Sequence, residues 1–185
     1  HATARGRAAT REVSPHHRLL TDQAVADSGF STETKMKPPL RSEADREALM
    51  AGLRDGSIDC IASDHAPHTD TEKEHQFDQA PFGVTGLETA FAAGITYLVG
   101  PGVMDLGRLV QCMSENPARI FNLPGGRLEE GAEADFVLLD PAREWVVTAE
   151  GFQSLSRNSC YLGETLTGRV MATFRGGRLT WRLED

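Results

Sequence analysis

The sequence lacks the features that would place it in a membrane or export it. No apolar run approaches the roughly 20 residues that a membrane-spanning helix requires. The first seven residues, His1 to Arg7, have no apolar core of the kind found in a signal peptide. We therefore expect a cytoplasmic protein without a membrane partner.

Cysteine and positive charge are also scarce. The three cysteines, Cys60, Cys112 and Cys160, are far apart and odd in number, so they predict neither a disulfide framework nor a CxxC zinc site. Lysine and arginine total 19 against 27 acidic residues, which gives a net charge of −8. That balance argues against a nucleic-acid partner.

The most informative segment of the chain is Ile58 to His68. Its apolar run, Ile58 to Ala62, ends abruptly at Asp64 and His65, and His68 follows. The pattern predicts a buried strand with a carboxylate and two imidazoles at its carboxyl end, where catalytic groups lie in a barrel of parallel strands. Asp64 is costly to bury alone, so it needs a metal, a cation or backbone donors. A strand-end turn capped by Asp64 is the simpler alternative.

Residues 1–122 alternate short strand-like and helical segments, which is typical of a parallel α/β fold. Ser42 and Gly56 are the expected caps of a helix. Its expected apolar face consists of Ala44, Ala48, Leu49 and Leu53.

Three further helix starts are predicted. Thr85 and Glu88 have the spacing of a capping box for a helix that continues through Val99. Asp105 is expected to open another helix, and Asn116-Pro117 a third, short one.

After residue 122 the sequence pattern changes from alternating helical and strand-like segments to β-rich stretches. Two β-rich stretches, Ala134 to Leu139 and Trp145 to Thr148, predict strands. Residues 172–181 predict a hairpin that turns at Gly176-Gly177. We therefore expect two parts, 1–122 and 123–185.

Several motifs occur in an order and at spacings that together resemble dihydroorotases of the long bacterial type, within the amidohydrolase superfamily. They are Glu12–His17, Lys35–Arg41, Ser63–Thr69, Glu72-Lys73, Ala80–Thr89, Ser114–Ala118 and Gly168–Val170. The resemblance implies that residues 1–122 are the C-terminal part of a (β/α)8 barrel and that 123–185 contribute strands to a small β-sandwich. A complete barrel takes roughly 250 residues, so we expect a chain that is incomplete and inactive alone.

The resemblance also assigns site residues. Asp64 matches the family's metal ligand and general base, and His68 matches a histidine that holds the substrate carboxylate. Lys37 stands where bacterial members usually have an asparagine that donates to substrate. Phe82 and Gly83 match a loop whose backbone groups pair with the substrate ring. The alternatives left open are a loop histidine bonded to backbone for His68 and an exposed surface lysine for Lys37.

The implied activity is the zinc-dependent interconversion of N-carbamoyl-L-aspartate and dihydroorotate, a small-molecule reaction of pyrimidine synthesis that uses two zinc ions. A homodimer is expected, and aspartate carbamoyltransferase is a further candidate partner. The alternatives are an enzyme of the hydantoinase, dihydropyrimidinase or allantoinase type, and a non-catalytic homologue that acts as a scaffold.

Three histidines are kept out of the implied metal set. His16 and His17 are expected in a loop after a strand, with a structural or supporting role. Adjacent histidines in an extended segment point to opposite faces, so both cannot easily reach one ion. His1 is interpreted as an ordinary terminal residue.

Overall fold

The computed structural model describes residues 9–184, so His1 lies outside the described residues. Its strands form two separate sheets. In one, β1 (Glu12–Val13) and β2 (Cys60–Ile61) pair in parallel, with Glu12 opposite Cys60 and Val13 opposite Ile61. The other is antiparallel, in the order β3 (Phe136–Val146), β4 (Thr165–Arg175), β5 (Arg178–Arg182). The α/β class is confirmed.

Short helices connect and cover these strands. In chain order they are α1 (Pro15–Leu19), α2 (Asp22–Asp27), α3 (Glu43–Asp55), α4 (Asp70–Lys73), α5 (Ala90–Gly94), α6 (Leu106–Val110) and α7 (Asn116–Ile120). Two π-helical turns, Ile95–Val99 and Gln111–Glu115, extend α5 and join α6 to α7. Short 3-10 turns lie at Thr32–Thr34 and Ala149–Gly151. Within residues 9–184, none of the helices has the length and apolar character needed to cross a membrane.

Helix α3 has the predicted caps. The Ser42 hydroxyl accepts a hydrogen bond from the Asp45 amide, and Gly56 adopts the left-handed conformation, φ 81°, that ends the helix. Its buried face is narrower than predicted. Leu53 is fully buried, but Ala44 and Ala48 are exposed.

The segment after β1 is a helix, so the prediction of a loop at His16-His17 was wrong. Pro15 occupies the first turn of α1, where its missing N–H removes no hydrogen bond and its fixed φ favours the helix. The two histidines therefore lie on adjacent positions of a helix, about 100° apart around its axis, and not on opposite faces of a strand.

The predicted capping box at Thr85 and Glu88 was also wrong. Helix α5 begins at Ala90, after Thr89, which makes no side-chain cap. The Thr85 hydroxyl donates instead to the Asn158 carbonyl at 2.8 Å, and the Glu88 carboxylate accepts the amides of Gln153 and Ser154. Both side chains connect residues 85–88 to the segment that precedes β4.

The predicted helix starts at Asp105 and Asn116 are confirmed, and together they form one longer helical stretch. The Asp105 carboxylate caps α6 by accepting the Arg108 amide at 2.7 Å. Asn116 and Pro117 begin α7, which follows the π-helical turn without a break.

The β-rich segment packs directly on the helical one. A Cβ atom at Gly168 of β4 would lie 2.8 Å from Ile95, and its φ of +97° favours glycine, so this position allows the close approach of β4 to the α5 region. The hairpin turn at Gly176-Gly177 is confirmed between β4 and β5. The two stretches predicted before it are one strand, β3, interrupted by an irregularity between Asp140 and Glu144.

Candidate active site

The carboxyl end of β2 positions Asp64. The strand is buried as predicted, with Ile58, Cys60 and Ile61 each at most 7% exposed, but only Cys60 and Ile61 form the ladder. The strand is short because β1 offers a partner over only two residues, and one further bond joins the Ala62 amide to the Val13 carbonyl. The chain then leaves the sheet, which brings Asp64 to the strand end.

Asp64 adopts a conformation that is uncommon for a residue with a side chain. Its φ is +52°, in the left-handed region, and its side chain is 47% exposed. The only described cation or histidine that meets the 4 Å ion-pair distance is His16, whose Nε2 lies 3.5 Å from Oδ2. The carboxylate therefore remains accessible to a ligand.

A chain of hydrogen bonds runs from His16 to the segment that carries Lys37. His17 Nε2 lies 2.7 Å from the Pro38 carbonyl, which can only accept, so this nitrogen carries the hydrogen. In neutral His17, Nδ1 then accepts from the Ser14 hydroxyl at 2.6 Å, and that hydroxyl accepts from His16 Nε2 at 3.0 Å. Both histidines thus converge on one oxygen.

His16 is a neutral neighbour of Asp64 and not an ion-pair partner. Burial, together with smaller effects of the nearby His17 and Arg18, lowers the pKa of its imidazole to about 3. The 3.5 Å contact with Asp64 consequently involves an uncharged ring near neutral pH.

Asp64 and Lys37 line one cavity of about 570 Å³. Other residues around it are Glu12, Val13, Ser14, His17, Pro38, Pro39, Arg41, Leu49 and Ala62. His68, Phe82 and Gly83 are not part of this lining. The five residues predicted for the site therefore fall into two groups.

The second group is held together by hydrogen bonds of its own. His68 Nε2 donates to the Phe82 carbonyl at 2.9 Å. The His68 amide is shared between the Ser156 hydroxyl at 2.8 Å and Asn158 Oδ1 at 3.1 Å, and the Ser156 hydroxyl also donates to the His68 carbonyl. The ring of His68 is thus bonded to backbone, as in the alternative interpretation of this residue.

The Phe82 ring connects the two groups. It is 48% exposed, and the ammonium of Lys37 lies 5.8 Å from its centroid. Lys37 therefore lines the cavity at Asp64 and also reaches the loop that contacts His68. Such a cation over an aromatic face is attracted to the ring electrons.

The backbone of Phe82 and Gly83 is almost fully engaged. The Gly83 amide donates to the Lys35 carbonyl at 2.8 Å, and the Gly83 carbonyl accepts from Lys73 Nζ and Asn158 Nδ2 at 3.0 and 3.3 Å. The Phe82 carbonyl accepts from His68. Within residues 9–184, the Phe82 N–H is the one backbone polar group of this pair for which we find no partner.

Sequence reasoning did not find the roles of Lys35, Lys73 and Asn158. All three are buried, at 7%, 6% and 4% exposure. Two lysines in polar segments look like surface residues, and Asn158 is 75 residues from the carbonyl that it contacts. The sequence signals were that Lys35 and Lys73 fall within the family motifs Lys35–Arg41 and Glu72-Lys73.

The described residues can supply only part of a metal site. Within residues 9–184, no three His, Cys, Asp or Glu side chains are arranged to hold an ion. Asp64 fits a single ligand position, because its carboxylate is half-exposed at the strand end.

Comparison with known proteins identifies the family. The model of the amidohydrolase family matches residues 12–179. The chain belongs to the amidohydrolase family. Its relatives include dihydroorotases from Elusimicrobium minutum, 51% identical over 92% of this chain, and Syntrophus aciditrophicus, 46% identical over 98%. The resemblance predicted from the motifs is therefore confirmed.

Solved amidohydrolase structures have the same fold as this chain. An L-hydantoinase (dihydropyrimidinase) from Arthrobacter aurescens superposes with a TM-score of 0.89 over 97% of the chain, at 31% identity. A dihydropyrimidinase from Brevibacillus agri superposes with a TM-score of 0.88 at 22% identity, which is a likeness of fold alone. The chain spans 39% and 42% of the two dihydroorotases and 41% of each solved chain.

Proposed function

We propose that the protein is a metal-dependent cyclic amidohydrolase that interconverts N-carbamoyl-L-aspartate and dihydroorotate in pyrimidine synthesis. The observation that carries the proposal is the placement of Asp64, half-exposed at the end of β2, on one cavity with the cationic Lys37. A carboxylate for proton transfer beside a cation for an anionic substrate suits this reaction. Identities of 46–51% to dihydroorotases support the substrate class.

In this proposal Asp64 is one ligand of a centre with two zinc ions, and the other ligands lie outside residues 9–184. When bound, the ions would lower the pKa of a water so that it gives up a proton readily near neutral pH. The carboxylate of Asp64 would accept that proton as the water oxygen bonds to the ring amide carbon, and would deliver it to the ring nitrogen as the carbon–nitrogen bond breaks. Lys37 and His68 hold the substrate carboxylate, and the loop at Phe82-Gly83 faces the ring.

The finer architecture is part of the same proposal. Residues up to about 122 would belong to the C-terminal part of a (β/α)8 barrel, and residues 123–185 to a small β-sandwich. The fold shared with hydantoinases supports this arrangement. A cytoplasmic homodimer, with aspartate carbamoyltransferase as a further partner, follows from the resemblance to dihydroorotases.

The test uses the product of the full-length gene, purified with zinc. We expect turnover of carbamoyl aspartate and dihydroorotate, and turnover at least about a hundredfold slower with hydantoin and dihydrouracil, which lack the ring carboxylate. Preference for hydantoin or dihydrouracil would favour the hydantoinase alternative. A zinc-free protein without turnover that still binds aspartate carbamoyltransferase would favour the scaffold. The 185 residues alone should have negligible activity, because they offer one ligand from the proposed metal set.

A further inference from the structure

The three lysines of the chain, Lys35, Lys37 and Lys73, all lie around the loop Asp78–Gly83. The other 16 basic residues are arginines. Two of the lysines are buried at 7% and 6% exposure, and burial of an ammonium group is costly unless its hydrogens find acceptors. The identity of the acceptors therefore indicates the role of these two lysines.

Four of the five acceptors are backbone carbonyls of the loop itself, and the fifth is the carbonyl of Thr32. Lys35 Nζ donates to the carbonyls of Asp78 and Ala80 at 2.9 and 2.6 Å. Lys73 Nζ contacts three carbonyls, those of Thr32, Gly83 and Pro81, at 2.8, 3.0 and 3.4 Å. An ammonium group has three hydrogens, so Lys73 is fully satisfied by this arrangement.

Asn158 also hydrogen-bonds to the Gly83 carbonyl that Lys73 contacts. Its amide donates to the Gly83 carbonyl at 3.3 Å and to the Ala66 carbonyl at 3.1 Å, while its side-chain oxygen accepts the His68 amide. One buried side chain from the segment before β4 thus ties the loop of Gly83 to the turn of His68. The Gly83 position itself tolerates no side chain, since φ is +94° and a Cβ would lie 2.6 Å from Ala66.

We propose that Lys73 and Asn158 are positioning residues that fix the Gly83 carbonyl and thereby present the Phe82 N–H to the substrate ring. This inference deepens the proposed function and rests on it. The peptide groups on both sides of Gly83 are held, one at the Gly83 amide and the other at the Gly83 carbonyl. The Pro81 carbonyl, which shares a peptide group with the Phe82 N–H, is itself contacted by Lys73 Nζ at 3.4 Å. The Phe82 N–H is therefore preorganised as a donor for a ring carbonyl, without a reorganisation cost on binding.

The test compares Lys73→Met and Asn158→Ala in the full-length gene product, with Asn116→Ala as the matched control. Asn116 is also buried, at 6%, and also donates its amide to a backbone carbonyl, that of Asp59 at 2.8 Å. We expect KM to rise about ten- to hundredfold in both test variants, as for loss of one oriented hydrogen bond, with bound zinc unchanged. Hydrogen exchange of residues 78–84 should accelerate in both.

Asn116→Ala should lower the melting temperature without changing KM or the exchange of residues 78–84. If the wild type turns over dihydroorotate but both test variants keep KM within about twofold, the inference is overturned and the proposed function stands. If the wild type has no turnover, the proposed function fails together with the substrate role of Phe82. The exchange measurement then decides whether the two residues hold the loop, and unchanged exchange overturns that claim too. Asn158→Ala keeps the test valid if Lys73→Met does not fold.

Discussion

His68 donates a hydrogen bond to the carbonyl oxygen of Phe82 across 2.9 Å. Sequence analysis assigned both residues to substrate binding, one through its imidazole and the other through its backbone. In the structure they bind each other. A substrate that uses the His68 imidazole or the Phe82 carbonyl must therefore compete with this bond, whereas the Phe82 N–H takes no part in it. In the proposed reaction, His68 would turn from the loop towards the substrate carboxylate.

The first prediction concerns Asp64 as metal ligand and proton carrier. In the full-length protein, Asp64→Asn should reduce turnover by about two orders of magnitude or more, because general acid–base catalysis contributes ~10²–10⁴-fold. Bound zinc should also decrease, since an amide is a poorer ligand than a carboxylate. Steady-state kinetics and metal analysis check both. Asp70→Asn, six residues later on the exposed start of α4, is the control, and unaltered turnover in Asp64→Asn would refute the assignment.

The second prediction separates His68 from metal binding. His68→Ala should raise KM for dihydroorotate by about ten- to hundredfold, as expected for loss of a charge-assisted hydrogen bond worth ~1.5–3 kcal/mol. Zinc content should stay at the wild-type value. His75→Ala, an exposed histidine of the same polar segment, should change neither quantity. Loss of zinc with unchanged KM in His68→Ala would show that the two roles are reversed.

The third prediction concerns the buried arginine of α1. Arg18 is 1% exposed, its Nε donates weakly to the Ser14 carbonyl at 3.4 Å, and neither Nη atom has a hydrogen-bond partner among the described residues. Arg18→Met should therefore raise the free energy of unfolding by about 1–3 kcal/mol, because an unsatisfied buried polar group costs that much. Urea unfolding measures the difference.

The control for Arg18 is an arginine with partners. Arg108 donates to the Gln111 side chain and to the Ile58 carbonyl, so Arg108→Met should lower the free energy of unfolding or leave it unchanged. A free energy of unfolding in Arg18→Met that is equal to or below the wild-type value would contradict the prediction.

The fourth prediction concerns Cys160 and pH. Burial raises the pKa of its thiol from the ordinary value of 9.0 to about 12. At pH 8 the folded protein should therefore be alkylated at Cys160 on the order of a thousandfold more slowly than the urea-unfolded protein, since the thiolate is the reactive form. Peptide mass spectrometry after a pulse of iodoacetamide measures both rates, and equal rates would disprove the shift.

The same shift has a consequence for stability. The unfolded thiol ionises near pH 9 while the folded one stays protonated, so between pH 9 and about 12 the folded state binds more protons. The free energy of unfolding should therefore decrease as pH rises through this range. Cys160→Ala should lose less stability there than the wild type in paired denaturation curves.

The parts of the fold that sequence analysis predicted correctly depend on neighbours in the chain. Ser42 and Gly56 cap α3 through residues within one turn, and the hairpin turn at Gly176-Gly177 requires only its own two glycines. The buried strand ending at Asp64 was predictable for the same reason, because an apolar run that stops at a carboxylate is visible in the sequence.

The wrong predictions came from side chains whose partners are distant. Thr85 and Glu88 have the spacing of a capping box, but they bond to residues 65–73 positions away, which outcompete the local cap. The pair at Thr69 and Glu72, which has the same spacing, does form a capping box. Spacing alone cannot distinguish the two cases, because the competing partners are known only once the chain has folded.

The sequence by itself determined the family, the α/β class and the residue types available for chemistry, because the motifs and the apolar periodicity are local properties of the chain. Only the tertiary structure decided which of these residues meet. It put Asp64 with Lys37 on one cavity and bonded His68 to Phe82, and it brought Asn158 to Gly83 across 75 residues. The physical reason is that buried amide, carbonyl and ammonium groups must find partners wherever the packed chain supplies them.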